Sequence, residues 1–93
     1  MNNIYDQIIK ISYDKDYYYI DCENNKLRIK IIDGELNIVI KNTENNYIPF
    51  YELSINDRIN IYYIKNNNNF IEPKLIIINI KYDFYDNSDD EII

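Results

Sequence analysis

Alternating apolar and polar residues run through much of the chain, and a period of two is the pattern of a β-strand with one buried face. Residues 5–13 alternate in part, and residues 17–22 form a second extended run after a predicted turn at 14–16. The polar triplet 23–25 fits either a tight turn or a bulge within one long strand. The predicted inward faces are Ile9, Ile11 and Tyr13 in the first strand and Tyr18, Ile20 and Cys22 in the second, with Tyr17, Tyr19 and Asp21 outward.

A β-hairpin in the middle of the chain is the clearest local prediction. Residues 27–32 and 36–41 each alternate, and Asp33-Gly34 stands between them. This pair tolerates the positive φ angles of a two-residue hairpin turn. The sequence therefore predicts two antiparallel strands joined there. Their inward residues are Leu27, Ile29, Ile31, Leu36, Ile38 and Ile40.

The second half of the chain predicts two further strands separated by polar breaks. Pro49 excludes a central strand over 47–56, so a short helix or an irregular connection is expected there. A strand follows over 58–65, the four asparagines at 66–69 mark a turn, and Pro73 precedes a last strand over 74–84. Their inward residues are Ile59, Ile61 and Tyr63, then Ile76, Ile78, Ile80, Tyr82 and Phe84.

Five or six strands with one short connector predict an all-β small barrel. Residues 53–61 (Leu-Ser-Ile-Asn-Asp-Arg-Ile-Asn-Ile) resemble the start of the fourth strand of an OB-fold, where Gly-Asp precedes alternating apolar residues. Asn56 replaces the usual Gly, and Asn also tolerates a left-handed backbone. The resemblance implies an OB-like barrel whose connector, at 47–56, occupies the place of the helix between strands three and four.

Composition excludes several kinds of catalytic and cofactor site. The chain has no His, one Cys and one Gly. A His base, a Cys/His zinc site, a Ser-His-Asp triad, a Walker loop and a dinucleotide-binding loop are therefore excluded. Acidic pairs such as Asp14 and Asp16 stand at turns, where acidic residues are common. We therefore predict a non-enzymatic protein with no metal and no cofactor.

Residue usage indicates an AT-rich coding sequence and favours an intracellular location. Ile, Asn, Tyr, Lys, Phe and Met, which have AT-rich codons, supply 61 of the 93 residues. This usage resembles that of short proteins of large nucleocytoplasmic DNA viruses. A lone Cys22, no signal-peptide pattern and no long apolar run favour an intracellular protein that does not enter a membrane. For a viral protein, the predicted location is the host cytoplasm or the virion.

Negative charge is concentrated at the C-terminus. Of the net charge of −6, residues 1–82 contribute little, with ten basic and eleven acidic side chains. Residues 83–93 carry five acidic side chains and no basic one. We predict one domain over 1–82 and a disordered acidic tail over 83–93.

The last eight residues, which end in Ile92-Ile93, resemble the acidic tip of bacterial and phage single-stranded-DNA-binding proteins. That resemblance implies that the tail recruits partner proteins and competes with nucleic acid for the barrel. The alternative is an ordinary solvated chain end.

Aromatic and basic residues share the predicted outer face of the second strand and the hairpin. In OB-folds the face of strands two and three receives single-stranded nucleic acid, with bases on aromatic rings and phosphates on cations. The alternative is that any half-buried sheet places polar residues outward. The candidate nucleic-acid-binding residues are Tyr17, Tyr19, Arg28, Lys30 and Lys41.

The last strand is apolar on both faces over residues 75–78, as in a strand that is covered on both sides. Either the connector at 47–56 or another subunit would cover its outer face. Its outward residues, with two other outward apolar positions, form a candidate protein interface. The rival function is therefore a structural or protein-interaction subunit that oligomerises through strand 74–82. The candidate interface residues are Leu75, Ile77, Val39 and Tyr62.

Overall fold

The computed structural model describes residues 1–67 and 69–79, which form a nearly all-β, curled half-barrel. This confirms the predicted fold class and is compatible with an OB-like fold. The strands are β1 (Asn2–Tyr13), β2 (Tyr17–Cys22), β3 (Lys26–Ile32), β4 (Glu35–Leu36), β5 (Val39–Asn42), β6 (Arg58–Tyr63), β7 (Asn66–Asn67), β8 (Phe70–Ile71) and β9 (Leu75–Ile78), with one 3₁₀ helix (Phe50–Glu52). The predicted tail, and with it Ile80, Tyr82 and Phe84, lies outside this part of the chain.

The strands hydrogen-bond in the order β5-β9-β6-β1-β2-β3-β8-β7, with β4 beside β3. The first half of β1 pairs with β6, and its second half pairs with β2. The sheet curls because this single long strand belongs both to the part that contains β6 and to the part that contains β2. At the far sides, β3 pairs with Ile71 and β6 pairs with residues 75–78, so one C-terminal segment contacts both ends of the curl.

The predicted inward position of Ile9 in β1 is wrong, because the strand has a β-bulge there. Ile8 pairs with Cys22 and Lys10 pairs with Asp21, so Ile9 is an extra residue in this strand. The bulge reverses the alternation, which buries Ile8 and leaves Ile9 50% exposed. Ile11 does pack against the core, as predicted, whereas Tyr13 at the strand end is 77% exposed.

Isoleucine dominates the core, as the alternation predicts. β-Branched side chains suit the pleated surface of a sheet, and each buried Ile contributes about 1.5–3 kcal/mol. The predicted inward residues of β2 and β6 are confirmed, with Tyr63 half-buried against the core, and so are Leu27 and Ile29 of β3. Ile31, the third predicted inward residue of β3, is half-buried and lies outside the core cluster. The buried hydrophobic residues are Ile8, Tyr18, Ile20, Cys22, Leu27, Ile29, Ile40, Leu53, Ile59, Ile61, Ile71, Ile76 and Ile78.

The predicted turn at Asp33-Gly34 is confirmed, because both residues have positive φ angles, of 53° and 80°. The strand that follows is shorter than predicted. After Leu36 the chain leaves β3, and β5 pairs in parallel with β9 instead. Leu36 and Ile38 still pack against the core from this crossing segment.

The connector is largely irregular with one 3₁₀ turn, as Pro49 predicts. Asn56 has a φ of 79°, which is the left-handed conformation expected where Asn replaces Gly. The connector also holds the bulged strand. The Ile8 amide donates to the Asp57 carbonyl at 2.9 Å, and the Asn56 amide donates to the Ile8 carbonyl at 2.7 Å.

Asp6 is a buried carboxylate on the inner side of β1, where sequence patterning gave no signal for it. Its Oδ1 accepts from the Gln7 amide at 2.7 Å. Its Oδ2 accepts from the Asn24 amide at 3.1 Å and from Asn25 Nδ2 at 2.6 Å. The triplet 23–25 is thus a tight turn, and Asp6 fixes it against β1.

We expect Asp6→Asn to lower the free energy of unfolding by about 2 kcal/mol or more. Asn has the same shape but one acceptor oxygen, so at least one buried donor loses its partner. Glu23→Gln, on the exposed side of the same turn, is the matched control and is expected to stay within about 0.5 kcal/mol. Urea titration followed by circular dichroism measures both. An unchanged midpoint for Asp6→Asn would contradict this role.

Candidate nucleic-acid interface

Four of the five predicted nucleic-acid-binding residues lie together on the outer face of β2 and β3. Tyr17 pairs across the strands with Lys30, and Tyr19 pairs with Arg28. Directly opposed residues of an antiparallel pair project to the same side of the sheet. Tyr18 and Ile20, which alternate with Tyr17 and Tyr19, are buried on the inner face of β2. The period of two therefore places Tyr17 and Tyr19 on the outer face.

An aromatic row, formed by Tyr17, Tyr19 and Phe70, crosses this face. The ring centroids of Tyr17 and Tyr19 are 6.0 Å apart, and those of Tyr19 and Phe70 are 5.8 Å apart. Phe70 comes from β8, and sequence reasoning missed it. The parallel pairing of Leu27 with Ile71 brings β8 beside β3, and the alternation along β8 then puts Phe70 on the outer side.

The guanidinium of Arg28 is held within the aromatic row. Its Cζ lies 4.7 Å from the ring centroid of Tyr17 and 5.1 Å from that of Phe70. Arg28 Nε donates to Glu72 Oε2 at 2.8 Å, and the Arg28 side chain is 18% exposed. Stacking and ion pairing together fix the charge in one orientation.

Asp14, in the turn before β2, accepts hydrogen bonds from Tyr17 and Tyr19 of the row. Its Oδ1 accepts from the Asp16 and Tyr17 amides, each at 2.8 Å, and its Oδ2 accepts from the Tyr19 hydroxyl at 3.1 Å. The hydrogen bond from the Tyr17 amide is the main cause that lowers the pKa of Asp14. Desolvation, followed by the bond to Asp14, raises the pKa of Tyr19. At neutral pH the phenol is therefore a neutral donor to a carboxylate.

A cavity of about 300 Å³ opens beside the aromatic row. Three basic side chains line it: Arg28, Lys30 and Lys74. Lys74, like Lys30, is exposed, and it was not predicted as a site residue. One carboxylate, that of Glu72, also lines the cavity and partly offsets their charge.

Lys41 lies away from the other four predicted residues. It stands on β5, where it pairs with Ile77 of β9 and with Tyr47 of the connector. Its Nζ is 5.0 Å from the centroid of the Tyr47 ring. The separation arises because the chain leaves β3 after Leu36, so β5 joins the opposite end of the sheet.

The four predicted interface residues lie on the outer face of the β5-β9-β6 part of the sheet. Leu75 pairs with Val39 on one side and with Tyr62 on the other, so these three form one continuous row. Ile77 stands two residues further along the same face, between Lys41 and Asn60. Val39 is 40% exposed and the other three are half-buried.

The chain's single thiol, that of Cys22, is buried in the core. Burial, with contributions from Asp6 and Asp21, raises the pKa of the Cys22 thiol to about 12, so it stays protonated at neutral pH.

Within residues 1–67 and 69–79, no three Cys, Asp or Glu side chains converge as a metal-binding group. The same ranges contain no helix long and apolar enough to cross a bilayer.

Comparison with protein-family models, with curated proteins and with solved structures finds no match to this chain. The OB resemblance therefore rests on strand topology and on residues 53–61. The viral resemblance rests on residue usage alone.

Proposed function

We propose that this protein is an OB-like, non-enzymatic module that binds single-stranded nucleic acid weakly through the outer face of β2 and β3. The observation that carries the proposal is the aromatic row with Arg28 stacked inside it. Each base that stacks on such a ring gains about 1–3 kcal/mol, whatever its sequence. The row offers three neighbouring rings around one guanidinium, which suits bases of one strand that stack beside a cation.

The position of the row within the fold supports the same function. OB-folds bind oligonucleotides on the face of strands two and three and with the loops between strands one and two and between strands four and five. Here Asp14 belongs to the turn between β1 and β2. Phe70 belongs to the β7–β8 hairpin, which lies between β6 and the final strand, β9. Both segments contact the β2–β3 face through the side chains described above.

The charges around the row explain why the binding we propose is weak. Phosphates are attracted by Lys30 and Lys74, but Glu72 already pairs with Arg28 and Asp14 adds a second negative charge nearby. A bound phosphate must therefore compete with Glu72 for the guanidinium. Affinity that depends on two or three phosphate contacts falls steeply as salt rises.

The proposal includes two parts that rest on the sequence. Residues 83–93 recruit protein partners, as the resemblance to single-stranded-DNA-binding tips implies. The protein acts inside the cell, where nucleic acid is the available polyanion and an unpaired thiol such as Cys22 stays reduced.

We expect the full-length chain to bind a fluorescent oligothymidine of about twelve nucleotides at about 20 mM salt, and to lose most of that binding near 200 mM. Tyr17→Ala and Phe70→Ala should each weaken binding at least about fivefold, because each removes a stacking ring. Fluorescence anisotropy measures the affinity. Tyr51→Ala, an exposed tyrosine of the 3₁₀ helix, is the matched control and should leave it unchanged.

Glu72→Gln provides a test in the opposite direction. It keeps the shape of the side chain but frees the Arg28 guanidinium of its charged partner, so oligonucleotide affinity should rise. Absence of salt-sensitive binding at low ionic strength would refute the proposed function. Binding that Tyr51→Ala weakens as much as Tyr17→Ala would refute the proposed site.

A second candidate function is a protein-interaction subunit, which the continuous row of Val39, Leu75 and Tyr62 favours. Contiguous apolar surface on the outer face of a sheet is a common feature of interfaces. On this hypothesis the chain self-associates, and Leu75→Ser combined with Ile77→Ser restores a folded monomer. Light scattering of wild type and variant measures the mass. A monomeric wild-type protein at about 100 μM would contradict self-association.

A further inference from the structure

A cleft of about 510 Å³ lies between the β2–β3 turn and the β7–β8 hairpin. Four of its lining side chains are carboxamides, from Asn24, Asn25, Asn66 and Asn69. We call it the asparagine cleft. Lys26, Glu23 and Phe70 also line it, and the buried residues Cys22 and Ile71 complete the lining.

The asparagine cleft adjoins the aromatic row through a shared residue. Phe70 lines the cleft and also lies 5.8 Å from Tyr19 in the row. A base stacked on Phe70 is therefore next to the carboxamides, whereas one stacked on Tyr17 is not. This continuity distinguishes the cleft from an unrelated surface pocket.

The lining chemistry suits the hydrogen-bonding edge of a base. A carboxamide offers a donor and an acceptor side by side, which pair with adjacent acceptor and donor atoms of a base; the pairing of Asn with adenine is the common example. Glu23 only accepts hydrogen bonds, so it suits a base edge that carries an exocyclic amino group, which adenine has and thymine lacks. Lys26 supplies a cation for the adjoining phosphate.

One of the four carboxamides is already engaged in the fold. Asn25 Nδ2 donates to the buried Asp6 at 2.6 Å, which fixes the turn on which Asn24 stands. Asn24, Asn66 and Asn69 are exposed and belong to the β2–β3 turn and the β7–β8 hairpin, on either side of the cleft. A ligand between them can contact both walls.

We infer that the asparagine cleft is a base-reading subsite that prefers an unpaired adenine at the Phe70 end of the bound strand. The inference rests on the proposed function, since the row supplies the general affinity. It adds a sequence preference that stacking and phosphate contacts do not provide.

Two oligonucleotides of equal length, oligodeoxyadenosine and oligothymidine, test the inference on the full-length protein. Their backbones carry the same charge, so a difference in affinity reports on the bases. We expect the adenine strand to bind about fivefold or more tightly. Asn24→Ala and Asn66→Ala should reduce adenine affinity to the thymine level while leaving thymine affinity unchanged. Asn46→Ala, an exposed asparagine of another loop, should change neither.

The outcomes separate the two claims. Equal affinity of the wild-type protein for both strands overturns the base-reading subsite and leaves the proposed function standing. A preference for adenine that survives in Asn24→Ala and Asn66→Ala also overturns it, because the preference then arises elsewhere. Failure to bind either strand at low salt overturns the proposed function and the subsite together. Circular dichroism confirms that each variant is folded, which their exposed positions favour.

Discussion

The rest of the structure depends on one strand that pairs with both parts of the curled sheet. β1 hydrogen-bonds to β6 over residues 2–7 and to β2 over residues 8–13, and the bulge at Ile9 lies where it changes partners. Two hydrogen bonds hold the bulge in place: the Ile8 amide donates to the Asp57 carbonyl, and the Asn56 amide donates to the Ile8 carbonyl. Because a bulge bends a strand and increases its twist, this anchored point sets the curl of the sheet.

The curl separates two outer surfaces of different chemistry. The β2–β3 surface carries rings, cations and two ordering carboxylates. The β5-β9-β6 surface carries the apolar row of Val39, Leu75 and Tyr62. Local charge also differs from the total: the net −6 of the chain does not describe a face on which Arg28, Lys30 and Lys74 line one cavity. The two proposed functions therefore use different surfaces of the sheet.

Much of the local structure could be predicted from the sequence, because the signals were local. The faces of β2 and β3 follow from strict alternation, and the Asp33-Gly34 turn follows from backbone conformation. Asn56 occupies the left-handed position that residues 53–61 suggested. These predictions need only the residues within each segment.

Features that depend on distant pairing could not be predicted in the same way. Ile8 and Ile9 are adjacent and equally apolar, so the pattern cannot tell which one is buried without the bulge. Two of the three donors to the buried Asp6 come from the 23–25 turn, which is distant in sequence. Phe70 lies in the candidate site because β8 pairs in parallel with β3, and Lys41 lies outside it because β5 pairs in parallel with β9. No turn in the sequence indicates either pairing.

The most direct test of the proposed function is a titration of the isotope-labelled full-length chain with oligodeoxyadenosine at low salt, followed by backbone amide chemical shifts. We expect the largest shifts in β2, β3 and β8, centred on Tyr19, Arg28 and Phe70, with weaker ones at the asparagine cleft. Shifts concentrated on Val39, Leu75 and their neighbours, or no shifts on either surface, would contradict it.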